Sequence, residues 1–292
     1  MDAITPQRAG YRSDFLAGAV ALPAPTAGTP VRELLYTHFT VLLDPVRRLA
    51  LSTGVNIDGD SLDDIARGDD WHIDDRIPDR EQTGEEIYAR NELDRGHLVR
   101  RRDPVWGDRA TAAQANFDTF AYPNAAPQAS EFNQSKELWL GLEDHVLSYA
   151  QTNRNRISVF TSPVLALNDP LYRGVGIPQS FWKVAVWTSD ETGTATLRSA
   201  GFVLDQSSQL TDIDLNDSSA QALVDGGPPP LGPYLSYQVP VEDIESLTGL
   251  DFGDLVGADV MAPVLAGRAD GSPRTGWVRL RSEDDITLEK AE

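Results

Sequence analysis

Four consecutive residues, Asp94-Arg95-Gly96-His97, open a set of side chains suited to one kind of chemistry. Downstream come Asn124-Ala-Ala-Pro-Gln128, then Phe132-Asn133-Gln134, then Trp139-Leu-Gly-Leu-Glu143-Asp144. Hydrolysis of a phosphodiester needs a water that loses a proton, neutralisation of the charge growing on the phosphoryl oxygens, and a stabilised leaving oxygen. A neutral histidine can take the proton near neutrality, because its ordinary pKa is about 6.5. One Mg²⁺ can serve the other two needs while keeping several of its own waters. An asparagine carbonyl is a hard oxygen ligand suited to Mg²⁺, Mn²⁺ or Ca²⁺. A histidine beside an arginine, two asparagines and an acid opening an amphipathic helix can therefore cut such a bond around one metal ion.

Those residues need a scaffold, and the chain carries signals for one. Residues 36–44 are β-rich, 45–47 turn, and 49–56 read as the returning strand of a hairpin. Residues 58–82 are acidic and read as loop, and 87–93 as a short strand leading into the Asp-Arg-Gly-His segment. Leu138, Trp139, Leu142, Val146, Tyr149 and Ala150 recur at helical spacing. Strands are expected over 157–162, 181–187 and 196–204, the last two as a hairpin, and Tyr237 to Val241 leads into a short helix over 242–249 that Gly249 caps. Residues 205–233 have little pattern and read as a surface excursion. Residues 1–33, rich in Pro, Gly and Ala, read as an extended N-terminal arm, leaving 34–292 as a single domain.

Composition narrows the classes. A chain of 292 residues can bury a sizeable core. No stretch approaches about 20 apolar residues, so no membrane partner is expected. No signal peptide is visible, which fits the cytoplasm or export by a non-classical route. With no cysteine, disulfides, thiolate nucleophiles and Cys-based zinc sites are excluded. The formal charge of −20 argues by itself against a nucleic-acid partner. Its distribution answers part of that objection: acids crowd into 58–86, while Arg95, His97, Arg100, Arg101 and Arg102 form a basic island that can focus an anion.

The joint pattern resembles the DNA/RNA non-specific endonucleases of the ββα-metal (His-Me finger) superfamily, which include endonuclease G. Beyond the motifs, Trp71 with its Asp-rich sequel and the segments 177–183, 202–206 and 241–249 match family landmarks in family order, so the resemblance covers roughly 36–254. It implies an α+β fold, with a central, mostly antiparallel sheet flanked by helices and a ββα-metal motif at the site. It implies a metal-dependent, sugar-non-specific endonuclease that takes DNA and RNA as substrates and leaves 5′-phosphate ends. His97 resembles the general base, Asn133 the sole direct protein ligand of the metal, and Arg95 the residue that steadies a phosphate. Asn124 would shape the site, holding the phosphate or the histidine loop, and Glu143 would bind metal-bound water. A homodimer, and an inhibitor or immunity protein restraining the activity, also fit the resemblance. The alternatives are an inactive binding protein on the same scaffold and a phosphodiesterase acting on non-nucleic substrates.

The chain departs from the family pattern twice. Glu143 follows Asn133 by ten positions where the family spacing is about eight, and ten steps of about 100° on one helix would point the two side chains apart. Glu137, four positions on, would share a face with Asn133; Glu143 is preferred because it keeps its spacing from Trp139 and Leu142. Leu147 stands where some relatives carry an arginine, so Arg101, Arg102 or Arg67 must supply the substrate contact. The remaining features read plainly. His38, His72 and His145 are ordinary surface or core residues, the Asn56 to Asp60 run is an acidic turn, and Trp182 and Trp187 are core.

Overall fold

The computed structural model describes residues 8–26, 28–129, 156–189, 193–212, 235–261, 276–281 and 285–288. Its frame is an eight-stranded antiparallel sheet in the order β14-β12-β11-β10-β7-β4-β3-β2. The strands are β2 (Arg32–Leu35), β3 (Phe39–Asp44), β4 (Leu49–Asp58), β7 (Arg156–Val164), β10 (Ser180–Ser189), β11 (Thr196–Asp205), β12 (Leu235–Val239) and β14 (Val278–Leu280). Three two-stranded ribbons accompany it: β1 (Ala24–Pro25) with β13 (Leu250–Asp251), β5 (Leu93–His97) with β6 (Ala125–Ala129), and β8 (Leu171–Tyr172) with β9 (Val175–Gly176). Helices are short: α1 (Glu85–Tyr88), α2 (Arg109–Asp118), α3 (Ser207–Asp212), α4 (Val241–Thr248) and α5 (Leu255–Ala258). Among the described residues no helix is long and apolar enough to cross a membrane. The α+β class and the antiparallel centre are as the sequence implies.

Both faces of the sheet are covered, and β10 shows how. Side chains alternate across a strand. Phe181, Ala185 and Trp187 therefore enter one core, and Trp182, Val184 and Val186 enter the other. The first core receives β5, β6 and the loop that carries Trp71; the second receives α4, α5 and the N-terminal segment. Each fully buried side chain of this size contributes about 1.5–3 kcal/mol. Phe15, Leu16 and Val20, from the stretch that reads as an arm, lie in the second core. Arg8 pins the same stretch to α2 through Asp118, with Nη2 to Oδ1 at 2.6 Å, and the other carboxylate oxygen takes the Thr37 amide and hydroxyl.

Local signals explain most boundaries. Asp44 ends β3 by accepting from the Val46 and Arg47 amides at 2.7 and 2.9 Å, an Asx turn that starts the return into β4. Gly249 sits at φ 68°, the left-handed cap expected at the end of α4. Two expectations need correction. The strand expected over 87–93 is instead the helical turn α1, and the strand is the Asp-Arg-Gly-His segment itself. The strand expected over 36–44 is broken by His38 at φ 67°, which folds β2 back as a third antiparallel strand. The amphipathic helix expected at 138–150 lies outside the described residues.

Candidate active site

The β5–β6 ribbon places the chemistry. His97 pairs with Ala125 and Arg95 with Pro127. Spaced two apart on a strand, the Arg95 and His97 side chains share a face. A Cβ on Gly96 between them would lie 2.1 Å from the Gln128 side chain, so a larger residue would force that buried side chain to shift. Two buried amides fix the ribbon at its ends. Asn124 accepts from the Val99 amide and donates to the Val99 and Thr119 carbonyls, each at 2.9 Å. Its backbone carbonyl takes the Leu98 amide, so Asn124 ties down the turn after His97 three times and joins it to Thr119. At the far end Gln206 accepts from Ala129 and donates to the Pro127 and Pro178 carbonyls.

His97 stands in an aromatic box. Its ring is 4.7 Å from Trp71 and 5.2 Å from Phe120, and Trp71 also meets Phe120 and Tyr122 at 5.4 and 5.8 Å. The box holds because segment 71–72 runs alongside 120–122: His72 donates to the Phe120 carbonyl and Tyr122 to the His72 carbonyl. The residue is half-buried, yet Nε2 is enclosed and has no hydrogen-bond partner among the described residues. Burial first, then the charges of Arg67, Arg101 and Arg95, push the imidazole down to about 3. It is therefore neutral at any ordinary pH.

Arg95 lies with its guanidinium 5.5 Å from the centre of the Trp71 ring and donates from Nη1 to Glu85 Oε2 at 2.8 Å. Tyr122 donates its hydroxyl to that same oxygen at 2.9 Å. Arg101 is held by the Ile65 carbonyl and Asn116 Oδ1 at 2.9 and 3.0 Å. Burial first, and then the charges of Arg67 and Arg102, lower its pKa. Arg67 and Arg102 are exposed. A cluster of cations that repel one another around a neutral base is an anion-binding arrangement, even on a chain of net charge −20.

The structure thus brings together His97, Arg95 and Arg101, with Arg67 and Arg102 close enough to act on them electrostatically, and gives Asn124 the backbone around His97 to hold. Asn133, Glu143 and Glu137 lie outside the described residues. Among the described residues no cluster of three acids or histidines could hold a metal. Sequence reasoning gave no role to Phe120, Tyr122 or Glu85, and Trp71 entered only as a landmark; no spacing links 71, 85, 97 and 122. Two of the other histidines pack on aromatic rings, and His145 lies outside the described residues. His38 stacks on Trp106 with centroids 3.4 Å apart, and His72 on Phe117 at 4.3 Å.

Comparisons with known proteins bear on the family and the fold. The family model described as DNA/RNA non-specific endonuclease matches residues 19–259. An uncharacterized protein of Sinorhizobium fredii, y4fB, is 39% identical over 286 residues, covering 90% of this chain and 41% of its own length. A nuclease of Nostoc sp. is 26% identical over 178 residues, covering 61% of this chain and 57% of its own. Mitochondrial endonuclease G of Bos taurus is 27% identical over 266 residues, covering 81% and 78%. The chain thus spans less than two thirds of the first two relatives. A chain from the crystal structure of the EndoG/EndoGI complex superposes with a TM-score of 0.57 at 21% identity, covering 87% of this chain and 94% of that one, and shares the fold.

Proposed function

Because the chain belongs to the DNA/RNA non-specific endonuclease family, we propose that it is a metal-dependent endonuclease that hydrolyses DNA and RNA with His97 as general base. The observation that carries this reading is the enclosed, unpartnered Nε2 of His97 within reach of three arginine charges. The His97 imidazole takes a proton from the attacking water while the water oxygen bonds to phosphorus. The bond from phosphorus to the 3′-oxygen breaks, the 3′-oxygen is protonated by solvent, and the products end in 5′-phosphate and 3′-hydroxyl. Arg95 steadies the phosphate; Arg101 and Arg102 attract the neighbouring backbone. A base pushed down to about 3 is a weak one. The same arginines that depress it are neutralised when a phosphate docks, so the imidazole gains basicity as substrate arrives.

Asn133 is proposed as the direct metal ligand and Glu143 as the acid on metal-bound water, with Mg²⁺, Mn²⁺ or Ca²⁺ as the ion; the ion supplies charge stabilisation at the phosphoryl group. Asn124 acts as a positioning residue for the His97 turn. Residues 34–292 form one catalytic domain in this reading, with 1–33 strapped to it, supported by the burial of Phe15, Leu16 and Val20. A protein inhibitor is a fitting partner, since the structural relative was solved in the EndoG/EndoGI complex.

The test is incubation of a plasmid and of an RNA with the purified protein, in Mg²⁺ or in EDTA, followed by end-group analysis. Cleavage of both in Mg²⁺ alone, with 5′-phosphate ends, is expected. No cleavage in Mg²⁺ would sink the reading, and equal cleavage in EDTA would remove the metal from it.

A further inference from the structure

The Glu85 carboxylate lies at the rim of the site, and no role follows for it from the chemistry above. It stands in the first turn of α1, ten residues before Arg95. Its Oε2 receives two donors, Arg95 Nη1 at 2.8 Å and the Tyr122 hydroxyl at 2.9 Å. Tyr122 is buried in the turn that also carries Asn124, the residue that ties down the chain after His97. One oxygen therefore joins the arginine of β5 to the element that fixes the histidine loop.

The pair is open to solvent, with side-chain exposures of 31% for Arg95 and 61% for Glu85, so its worth as an ion pair is small. Its geometry matters more. An arginine has five N–H donors in a rigid fork, and Glu85 takes one of them while the guanidinium carbon lies over the Trp71 ring, 5.5 Å from its centre. A flexible side chain held at one corner and one face loses its rotational freedom before substrate arrives, and a group fixed in advance binds and reacts better than one that must be ordered. We propose that Glu85 is a positioning residue for Arg95: bridged to the Tyr122 hydroxyl, it fixes the guanidinium on Trp71 beside His97 and leaves other donors of the fork to a substrate phosphate. This rests on the nuclease reading for its kinetic consequences, but not for its structural one.

A double-mutant cycle tests it. Glu85→Ala is expected to lower kcat/KM on plasmid DNA about ten-fold, within the range that directly coupled residues show, with KM carrying most of the change. Glu85→Gln, which keeps an acceptor oxygen, should recover most of the loss, and Tyr122→Phe should fall between. On an Arg95→Ala background Glu85→Ala should cost less than about two-fold, because its effect runs through Arg95. A full-sized loss on that background overturns the proposal. So does a gain in kcat/KM for Glu85→Ala, which would make the carboxylate a competitor of the phosphate. A native protein that cuts no nucleic acid defeats the nuclease reading alone, and a structural readout then decides. In the metal-free protein, NMR of ¹⁵N-labelled arginine should show a slowly rotating Arg95 guanidinium that Glu85→Ala sets free. Equal mobility in both proteins overturns the proposal.

Discussion

His38 and His97 occupy similar surroundings, yet only His97 is proposed to do chemistry. Each lies against a tryptophan, Trp106 for His38 and Trp71 for His97, and burial lowers the pKa of each. His38 is a settled residue: it stacks flat, at 6° between ring planes, and its Nδ1 bonds the Pro104 carbonyl at 2.8 Å. That hydrogen bond and the charges of Asp58 and Asp108 pull against the effect of burial. His97 is tilted by 50° on its tryptophan, leaves Nε2 without a partner among the described residues, and has arginines that add to the effect of burial. Burial and an aromatic neighbour thus do not set the two apart. What distinguishes His97, and supports its proposed role, is an unspent nitrogen among cations.

The largest effect that could break this comparison is on rate. His97→Ala should lower kcat/KM about 10²- to 10⁴-fold, the usual worth of a positioned base. His38→Ala should leave it within a few-fold of native while costing about 1–3 kcal/mol in urea unfolding, as loss of a buried packed group does. Similar rate losses in both variants would erase the distinction. Next is Asn124→Ala, which removes three buried hydrogen bonds, two to the turn after His97 and one to Thr119. It should lower both stability, by about 1–3 kcal/mol, and activity. Activity lost with KM and melting temperature unchanged would point to direct contact with substrate instead.

Smaller, and sharper, is the pH dependence of stability. Below about pH 6.5 the unfolded chain takes up a proton that folded His97 resists down to about 3. Its contribution is therefore intact above that pH and destabilising as pH falls through the window. The stability gap between native protein and His97→Ala should shrink from pH 7.5 to pH 5, and more than the gap for His38→Ala, whose acids oppose the shift. Urea titrations at the two pH values measure it, and gaps that do not change would contradict the burial and the cationic ring together. The smallest effect is that of Arg67→Gln. Removing one exposed cation near His97 should move the acid limb of the kcat/KM profile upward and flatten its salt dependence.

The sheet was largely legible from the chain because its strands are long and β-branched and end in clear turn residues. Asp44 and Gly249 fall where the chemistry of turns and caps puts them. The segment before the Asp-Arg-Gly-His strand was misjudged because α1 is only four residues long, too short for a period to show. α2 was overlooked although Asp108 caps it, accepting from the Ala110 and Thr111 amides; its Ala-rich body lacks a strong apolar stripe. At the candidate site, His97 and Arg95 could be proposed from a local string, and Asn124 from its place in a second one. The box of Trp71, Phe120 and Tyr122, and the carboxylate of Glu85, could not, since their meeting depends on how loop 71–72 packs on 120–122.

The base assignment is open to direct chemical test. His97→Ala leaves a space the size of an imidazole in the aromatic box, and free imidazole added to that variant should restore part of the cleavage of a short oligonucleotide in Mg²⁺. Restoration should rise with the neutral fraction of the added imidazole and be absent from Arg95→Ala. If folded His97→Ala binds the oligonucleotide but no concentration of imidazole restores cleavage, or if it cuts as fast as native protein without it, His97 is not the base.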